Sequence, residues 1–299
     1  MMNYIRGRSI NRILARNWYD RHSQFLCSQF SRVEENLLDG PADFQSFCTG
    51  RQNMSHVNIR VMLRPRQDIL ARMINFLSSS VFGTVNVEDR VFIDIYPDSS
   101  KYDGFVWGLG HKDCVQILRE QRFDVGFARS VDLKEIGNWI VMFTESAEVG
   151  ERVWTEELKR AVKESERVLE WVLISDQPED EPNKPEYECR YRIQLCMKLS
   201  DQDSALVEAL FKLVDHLVER CHFRPEVVKK LKASREDASK QIKKKYAEGT
   251  DLAVKRKVDK EKAEKERLTR MSASEQRKFL EKKQDKVMKK AMNKRAQKG

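Results

Sequence analysis

The last 77 residues carry too much charge to form a hydrophobic core. Residues 223–299 contain 27 basic and 12 acidic side chains, a net charge of +15, in a chain of 299 residues. Residues 1–222 contain 29 basic and 35 acidic side chains, a net charge of −6. A segment in which half of the residues are charged buries little apolar surface, whereas about 222 residues suffice for one domain or two closely packed ones. We therefore expect a mildly acidic folded body followed by a basic tail.

The composition excludes several other classes of protein. The longest apolar runs, Trp139–Phe143 and Trp171–Ile174, fall far short of the roughly 18–20 residues that span a bilayer. The N-terminal segment is basic and has no apolar core of the kind found in signal peptides. Six cysteines without a CxxC pair indicate reduced thiols on the cytosolic side of a membrane.

Alternating apolar residues predict five or six strands in the body. The segment 56–63 is typical, because Val57, Ile59 and Val61 share one face of a half-buried strand. The remaining predicted strands are Arg90–Tyr96, Phe105–Leu109, Asn138–Thr144, Glu170–Ser175 and Glu188–Leu199, of which the last is the longest.

Apolar residues at three- and four-residue steps predict the helices. The first helix should extend from Tyr4 to about Leu37, with an apolar stripe formed by Ile10, Ile13, Leu14, Trp18, Phe25, Leu26, Phe30 and Val33. A second follows Pro65, and its apolar face is formed by Ile69, Leu70, Met73, Ile74 and Leu77. Further helices are predicted at His111–Arg122, at Glu156–Leu169 and after Asp203, where Ser200 and Asp203 resemble a helix-start box.

These elements predict an α+β fold. We expect a mixed sheet of five to six strands with packed helices, followed by a long basic C-terminal helical arm. The domain organisation would be an amphipathic helix at residues 1–38, an α+β domain at residues 39–222 and the basic arm at residues 223–299.

The body shows no enzyme motif. The segment Gly108-Leu109-Gly110 lies between a predicted strand and a predicted helix, but Asp113 occupies the position of the third glycine of a dinucleotide-binding loop, and we interpret the segment as a tight turn. His111 and Cys114 are three residues apart, yet no second pair completes a zinc site. We therefore predict no catalytic residue, no metal ligand and no cofactor.

The basic tail is the feature most indicative of function. Its prolines end at Pro225, Gly249-Thr250-Asp251 should interrupt the helix, and Ser272 with Glu275 forms a capping box where the helix would restart. Its scattered apolar residues do not by themselves predict a self-sufficient coiled coil. An excess of 15 positive charges favours binding to phosphates, and the scarcity of aromatic residues favours folded RNA over single strands. The candidate ribosome- or RNA-binding residues are Lys243, Lys244, Lys245, Lys255, Arg256, Lys257, Arg277, Lys278, Lys282, Lys283, Lys286, Lys289, Lys290, Lys294 and Arg295.

Two other interpretations of the tail remain open. It could bind an acidic membrane or protein surface, or it could be a solvated helix whose charges pair along its own length. Independently of the tail, we predict that the arginines of the N-terminal helix, Arg6, Arg8, Arg12 and Arg16, lie beside anionic headgroups at a membrane surface.

Four blocks of the sequence resemble the calumin family, also called the coiled-coil domain-containing protein 47 family. They are RGRSINRILARNWYDRHSQFLCSQF at 6–30, FCTGRQNMSHVNIRVMLRPRQDILARMINFL at 47–77, EWVLISDQ at 170–177 and EKAEKERLTRMSASEQRKFLEKKQDKVMKK at 261–290. The resemblance extends through nearly the whole chain. It implies a subunit of the PAT complex, an intramembrane chaperone that works beside the Sec translocon with the small membrane protein Asterix on multipass proteins.

The resemblance also implies a location and partners. The family's cytosolic domain and helical tail contact the ribosome near the tunnel exit, and the family is linked to calcium homeostasis through an acidic luminal region. We expect this chain to match the cytosolic part only, beginning just past the family's membrane helix, so that residues 1–38 would be juxtamembrane. The expected function is a non-enzymatic adaptor at the cytosolic face of the endoplasmic reticulum membrane. The alternative is a soluble RNA-binding or ribosome-biogenesis factor without a membrane role.

Overall fold

The protein is represented by a computed structural model, which describes residues 2–82, 88–98, 102–133, 135–182, 187 and 189–269. Within these residues the helices are α1 (Met2–Gln29), α2 (Ile69–Phe82), α3 (Lys112–Gln121), α4 (Ala147–Val153), α5 (Glu156–Glu164), α6 (Ser204–Arg220) and α7 (Pro225–Thr269). The strands are β1 (Arg32–Asp39), β2 (Asp43–Thr49), β3 (Met54–Met62), β4 (Arg90–Pro97), β5 (Trp107–His111), β6 (Arg129–Asp132), β7 (Ile140–Thr144), β8 (Leu169–Ser175) and β9 (Arg192–Lys198). A short 3-10 helix lies at Asp124–Phe127.

The strands form one sheet in the order β1-β2-β3-β4-β9-β8-β5-β7-β6, and every described pairing is antiparallel. The predicted α+β class is confirmed, but the prediction of a mixed sheet of five to six strands is wrong, since the described residues form nine. The strands that were missed include β1, β2 and β6, which are rich in polar residues. All four side chains of β6 are exposed, so its sequence carries no apolar alternation.

Two cores lie on opposite faces of the sheet. The larger one joins α1, α4, α5 and α6 to the inward residues of the strands, such as Val57 of β3 and Ile93 of β4. The smaller one lies under α3 and contains Val115, Phe143 and Leu173. Strands β5, β7 and β8 are covered on both faces, which explains their nearly continuous apolar sequences.

The first helix is shorter than predicted. It ends at Gln29, and residues 32–37, which the sequence pattern placed in the helix, belong to β1. The backbone of β1 pairs with β2, with Val33 opposite Cys48, and this ladder satisfies the peptide groups that the helix would otherwise have used. The predicted stripe is correct for Trp18, Leu26 and Phe30, which are buried, but Ile10 and Ile13 are exposed.

Four further local predictions are wrong. The segment Gly108-Leu109-Gly110 lies inside β5 and is not a tight turn. A glycine is needed at position 108 because the ring of Phe143 on the neighbouring strand occupies the space of a Cβ atom. The last strand begins at Arg192 instead of Glu188, and β3 is the longest described strand. Helix α7 continues through the predicted break at residues 249–251. The capping box at residues 272–275 lies outside the described residues.

The chain divides into two compact units. The first comprises residues 1–182 and 186–238, and the second comprises residues 183–185 and 239–299. The first unit therefore continues past residue 222 and includes the first turns of α7. None of the described helices is both long and apolar enough to cross a bilayer.

Candidate functional site

Helix α7 begins at a tightly held turn after α6. The backbone N–H of Phe223 donates to Oδ2 of Asp103 at 3.1 Å, and the ring of Phe223 contacts that of Phe105 edge-on at 5.4 Å. Arg152 donates to the carbonyl oxygens of Arg220 and His222, at 3.1 and 2.5 Å. Arg152 of α4 thereby satisfies the last carbonyl group of α6 and that of His222 in the turn that follows. These contacts fix the turn between α6 and the first residues of α7.

Arg235 lies about three helical turns after the start of α7 and anchors this helix to the body. Its Nη1 and Nη2 atoms donate to the two carboxylate oxygens of Glu145 at 2.6 and 2.8 Å. Its Nε and Nη2 atoms donate to Asp176 at 3.0 and 2.8 Å. The three side chains are 16%, 4% and 9% exposed, respectively. We call these three residues the Arg235 cluster. One guanidinium thus holds two carboxylates in paired, charge-assisted geometry.

The electrostatics of the Arg235 cluster follow from its burial. Burial raises the pKa of Glu145 above its ordinary value, although hydrogen bonds from Arg235 and from the backbone N–H of Val106 oppose the change. Burial lowers the pKa of Arg235, but the hydrogen bonds to Glu145 and Asp176 more than offset it and leave the pKa raised. Two carboxylates against one guanidinium give the cluster a net charge of −1 when all three are ionised. The charges of both buried carboxylates are therefore compensated by one guanidinium, that of Arg235.

The structure describes part of the predicted ribosome-binding set. Lys243, Lys244 and Lys245 lie on α7 and are exposed, while Lys255, Arg256 and Lys257 lie further along the same helix. The remainder lie outside the described residues, and these are Arg277, Lys278, Lys282, Lys283, Lys286, Lys289, Lys290, Lys294 and Arg295. Their role in binding stays a prediction.

The predicted membrane-surface arginines lie on the first turns of α1. Arg6, Arg12 and Arg16 are exposed, and Arg8 is partly buried. The opposite face of α1 is fixed in the core, because the indole N–H of Trp18 donates to Oδ2 of Asp203 at 2.6 Å. Ser200 and Asp203 were predicted to form a helix-start box, but α6 begins at Ser204 and Asp203 makes no side-chain cap bond. The carboxylate of Asp203 instead binds Trp18 and approaches His22 at 3.3 Å. This contact keeps the arginine-bearing face outward.

A groove of about 1020 Å³ lies on the face of the sheet beside α3, and its lining includes His111, Cys114, Glu170 and Cys196. Cys196 donates to Oε2 of Glu170 at 3.1 Å, and burial raises the pKa of both thiols. Protonated thiols are poor nucleophiles and poor metal ligands. Within the described residues no three His, Cys, Asp or Glu side chains are placed to hold a metal ion.

The sequence did not reveal the Arg235 cluster or the groove. Glu145 and Asp176 are 90 and 59 residues from Arg235 along the chain, so no local spacing connects them. A single arginine among many basic residues of the tail also gives no signal of its own. Only the folded sheet brings these groups together.

The family model described as "PAT complex subunit CCDC47" matches residues 1–290, and the chain belongs to this family. The family membership that was predicted from the sequence resemblance is thereby confirmed.

Several relatives are similar to this chain. The UPF0674 endoplasmic reticulum membrane protein C2G5.01 of Schizosaccharomyces pombe is 29% identical over 318 residues, which cover 98% of this chain and 83% of the yeast protein. The human PAT complex subunit CCDC47 is 25% identical over 140 residues, which cover 42% of this chain and 27% of the human protein. A solved structure of the mycobacterial trehalose monomycolate transport factor A matches with 11% identity over 58% of this chain and 69% of that chain, at a TM-score of 0.29 that carries no argument. The family and the relatives support a role associated with the endoplasmic reticulum.

Proposed function

We propose that this chain is a non-enzymatic adaptor that binds ribosomes at the cytosolic face of the endoplasmic reticulum and assists the insertion of multipass membrane proteins. Its family is that of a PAT complex subunit, and a relative that it matches over almost its whole length is named an endoplasmic reticulum membrane protein. By family resemblance, its partners would be Asterix, the Sec translocon and nascent multipass proteins, and a link to calcium homeostasis belongs to the same expectation.

The observation that carries this proposal is the combination of an anchored root and exposed lysines in one helix. The Arg235 cluster holds the first turns of α7 against the body. Lys243, Lys244 and Lys245 then follow on the same helix with exposed side chains. The Arg235 cluster stabilises the fold whether or not the helix has a partner, so the argument for a partner rests on the exposed lysines and on the excess of positive charge in residues 223–299.

Ribosomal RNA is a partner that suits this arm. It presents a dense array of phosphates, and Lys or Arg side chains that replace condensed counterions bind such an array strongly. In residues 223–299 the basic side chains exceed the acidic ones by 15. Contacts to the RNA backbone and its shape need no aromatic side chains, which are scarce in this segment.

The N-terminal arginines support the membrane-proximal location. Arg6, Arg12 and Arg16 are exposed on α1, and each basic side chain near an anionic surface contributes about 1 kcal/mol. Residues 1–16 contain no acidic side chain to oppose this attraction.

Co-sedimentation with purified ribosomes tests the proposal. The variant Lys243→Glu/Lys244→Glu/Lys245→Glu reverses three exposed charges on α7. A matched control, Arg160→Glu/Lys163→Glu/Lys212→Glu, makes the same change in net charge at exposed positions of the body. We expect the α7 variant to bind at least about tenfold more weakly and the control to bind like the wild type. An equal loss of ribosome affinity in both variants would mean that only the net charge of the protein matters. That result would contradict the proposal.

A further inference from the structure

An exposed apolar helix lies beside the N-terminus of α1. In α2 the side chains of Ile69, Leu70, Met73, Ile74 and Leu77 are 53–67% exposed. They share one side of the helix by their three- and four-residue spacing. Among the side chains of α2 that the structure describes, none is buried. Five large apolar side chains exposed on one side of a helix form a patch of the kind that marks an interaction site.

The start of α2 is fixed against α1. Asn11 of α1 donates to the carbonyl oxygen of Arg64 at 3.1 Å, and Arg66 donates back to the Oδ1 atom of Asn11 at 3.0 Å. Gly7 approaches the same segment so closely that an added Cβ would lie 2.4 Å from the backbone nitrogen of Gln67. Asp68 then accepts a hydrogen bond from the N–H of Ala71 and begins the helix. The two helix N-termini are therefore held together.

Exposed apolar residues also occur on α1 at this end. Ile5, Ile10 and Ile13 are 62%, 39% and 55% exposed, and they alternate with the exposed Arg6, Arg12 and Arg16. Residues 1–16 and 60–82 together contain eight arginines and a single acidic residue, Asp68. Asp89 also lies at this end and pairs with Arg66, so the surface combines apolar side chains with an excess of positive charge that one further carboxylate reduces.

We propose that α2 lies in the headgroup region of an anionic membrane, with its apolar face inserted and the arginines of α1 beside it on the lipid phosphates. This inference rests on the proposed function, which places α1 at the membrane surface. It adds α2 as a second helix in contact with the membrane. Helix α2 has 14 residues, too few to span a bilayer and a suitable number for an interfacial helix.

Charge argues against a second copy of this chain as the occupant. A two-fold pairing of this surface would bring the exposed Arg6, Arg12 and Arg16 close to their copies, with Asp68 to compensate on each side, because Asp89 is already paired with Arg66. An anionic bilayer offers both an apolar interior and negative headgroups, and so it matches both properties of the surface.

Flotation of the full chain with vesicles tests this inference. Vesicles would contain either phosphatidylcholine alone or about 30% phosphatidylserine, at about 0.15 M and about 0.5 M KCl, where the higher salt screens the contribution of the basic tail. The variant Leu70→Asp/Ile74→Asp alters only exposed side chains, so a thermal melt should match that of the wild type. Its control is Ile117→Asp/Val131→Asp, at positions of 42% and 43% exposure elsewhere on the body.

We expect the wild type and the control to float with anionic vesicles at both salt concentrations. The α2 variant should lose at least about tenfold in binding at high salt. An α2 variant that floats like the wild type would overturn the inference, as would a wild-type dimer in sedimentation that this variant dissociates. Charge reversal of Arg6 and Arg16 and the ribosome assay test the proposed function separately, because neither depends on α2.

Discussion

The consecutive helices α6 and α7 are attached to the body in different ways. Eight buried side chains of α6, including Leu210, Phe211 and Leu217, pack on the sheet and on α1. The first turns of α7 bury Leu231 and place one guanidinium, that of Arg235, between two carboxylates. Apolar burial needs no specific partner, whereas an ion cluster depends on each of its members. The comparison teaches that α6 belongs to the core, while α7 is a basic element held by a few directional contacts.

The largest expected effect comes from truncating the chain before the first turns of α7 instead of after them. A chain of residues 1–222 loses Phe223, Leu231 and Arg235 and leaves Glu145 and Asp176 buried without their partner. The loss should be about 5 kcal/mol or more, comparable with the whole stability of many domains. A chain of residues 1–238 retains all these contacts.

Chemical denaturation of the two chains checks this prediction. Residues 1–238 should unfold cooperatively, and residues 1–222 should be far less stable or lack a cooperative transition. Equal midpoints for the two would mean that α7 contributes nothing to the body.

A core substitution in α6 should have the next largest effect. Phe211 is 1% exposed, and its ring lies 5.7 Å from that of Phe25 and 5.5 Å from that of Phe30. We expect Phe211→Ala to lower the free energy of unfolding by about 3–5 kcal/mol, because the cavity cannot be filled by rigid neighbours. The exposed neighbour Lys212 supplies a control, since Lys212→Ala should leave urea denaturation nearly unchanged.

Removing the central cation of the Arg235 cluster should cost less. We expect Arg235→Met to lower stability by about 2–3 kcal/mol at neutral pH, below the loss typical of fully buried pairs because Arg235 keeps some contact with water. Arg224 is the matched control: it pairs with Glu148 at 2.7 Å but is highly exposed, so Arg224→Met should have little effect.

The pH dependence of that variant sharpens the prediction. Burial raises the folded pKa of Glu145, so the folded state binds more protons than the unfolded state between the two pKa values, and stability falls as pH rises through that range. Arg235→Met removes the group that opposes this rise. The stability difference between the variant and the wild type should therefore shrink on acidification from about pH 8 to about pH 5. A difference that grows on acidification would contradict this assignment.

The sequence predicted the parts of the fold in which one face is apolar and the other polar. The alternation in β3 and β4 and the periodicity of α6 locate these elements correctly, because burial on one side imposes the pattern. Strands β1 and β6 have no such pattern, since their positions follow from backbone pairing with a neighbour.

The sites were less predictable than the fold. The apolar face of α2 was visible in the sequence, but periodicity does not reveal whether such a face contacts a core or remains exposed. The Arg235 cluster depends on contacts between distant segments, which no single segment encodes. The basic arm was predictable because its unusual property is composition and not geometry.

The salt dependence of ribosome binding tests the central claim, that the exposed cations of α7 bind phosphates. The logarithm of the affinity of the wild type should fall linearly with the logarithm of the salt concentration. In Lys243→Glu/Lys244→Glu/Lys245→Glu the slope should be smaller in magnitude by about 2–3, one unit or slightly less for each lost contact. The body control Arg160→Glu/Lys163→Glu/Lys212→Glu should keep the slope of the wild type. Affinity that does not change with salt in the wild type, or equal slopes in all three proteins, would contradict the account.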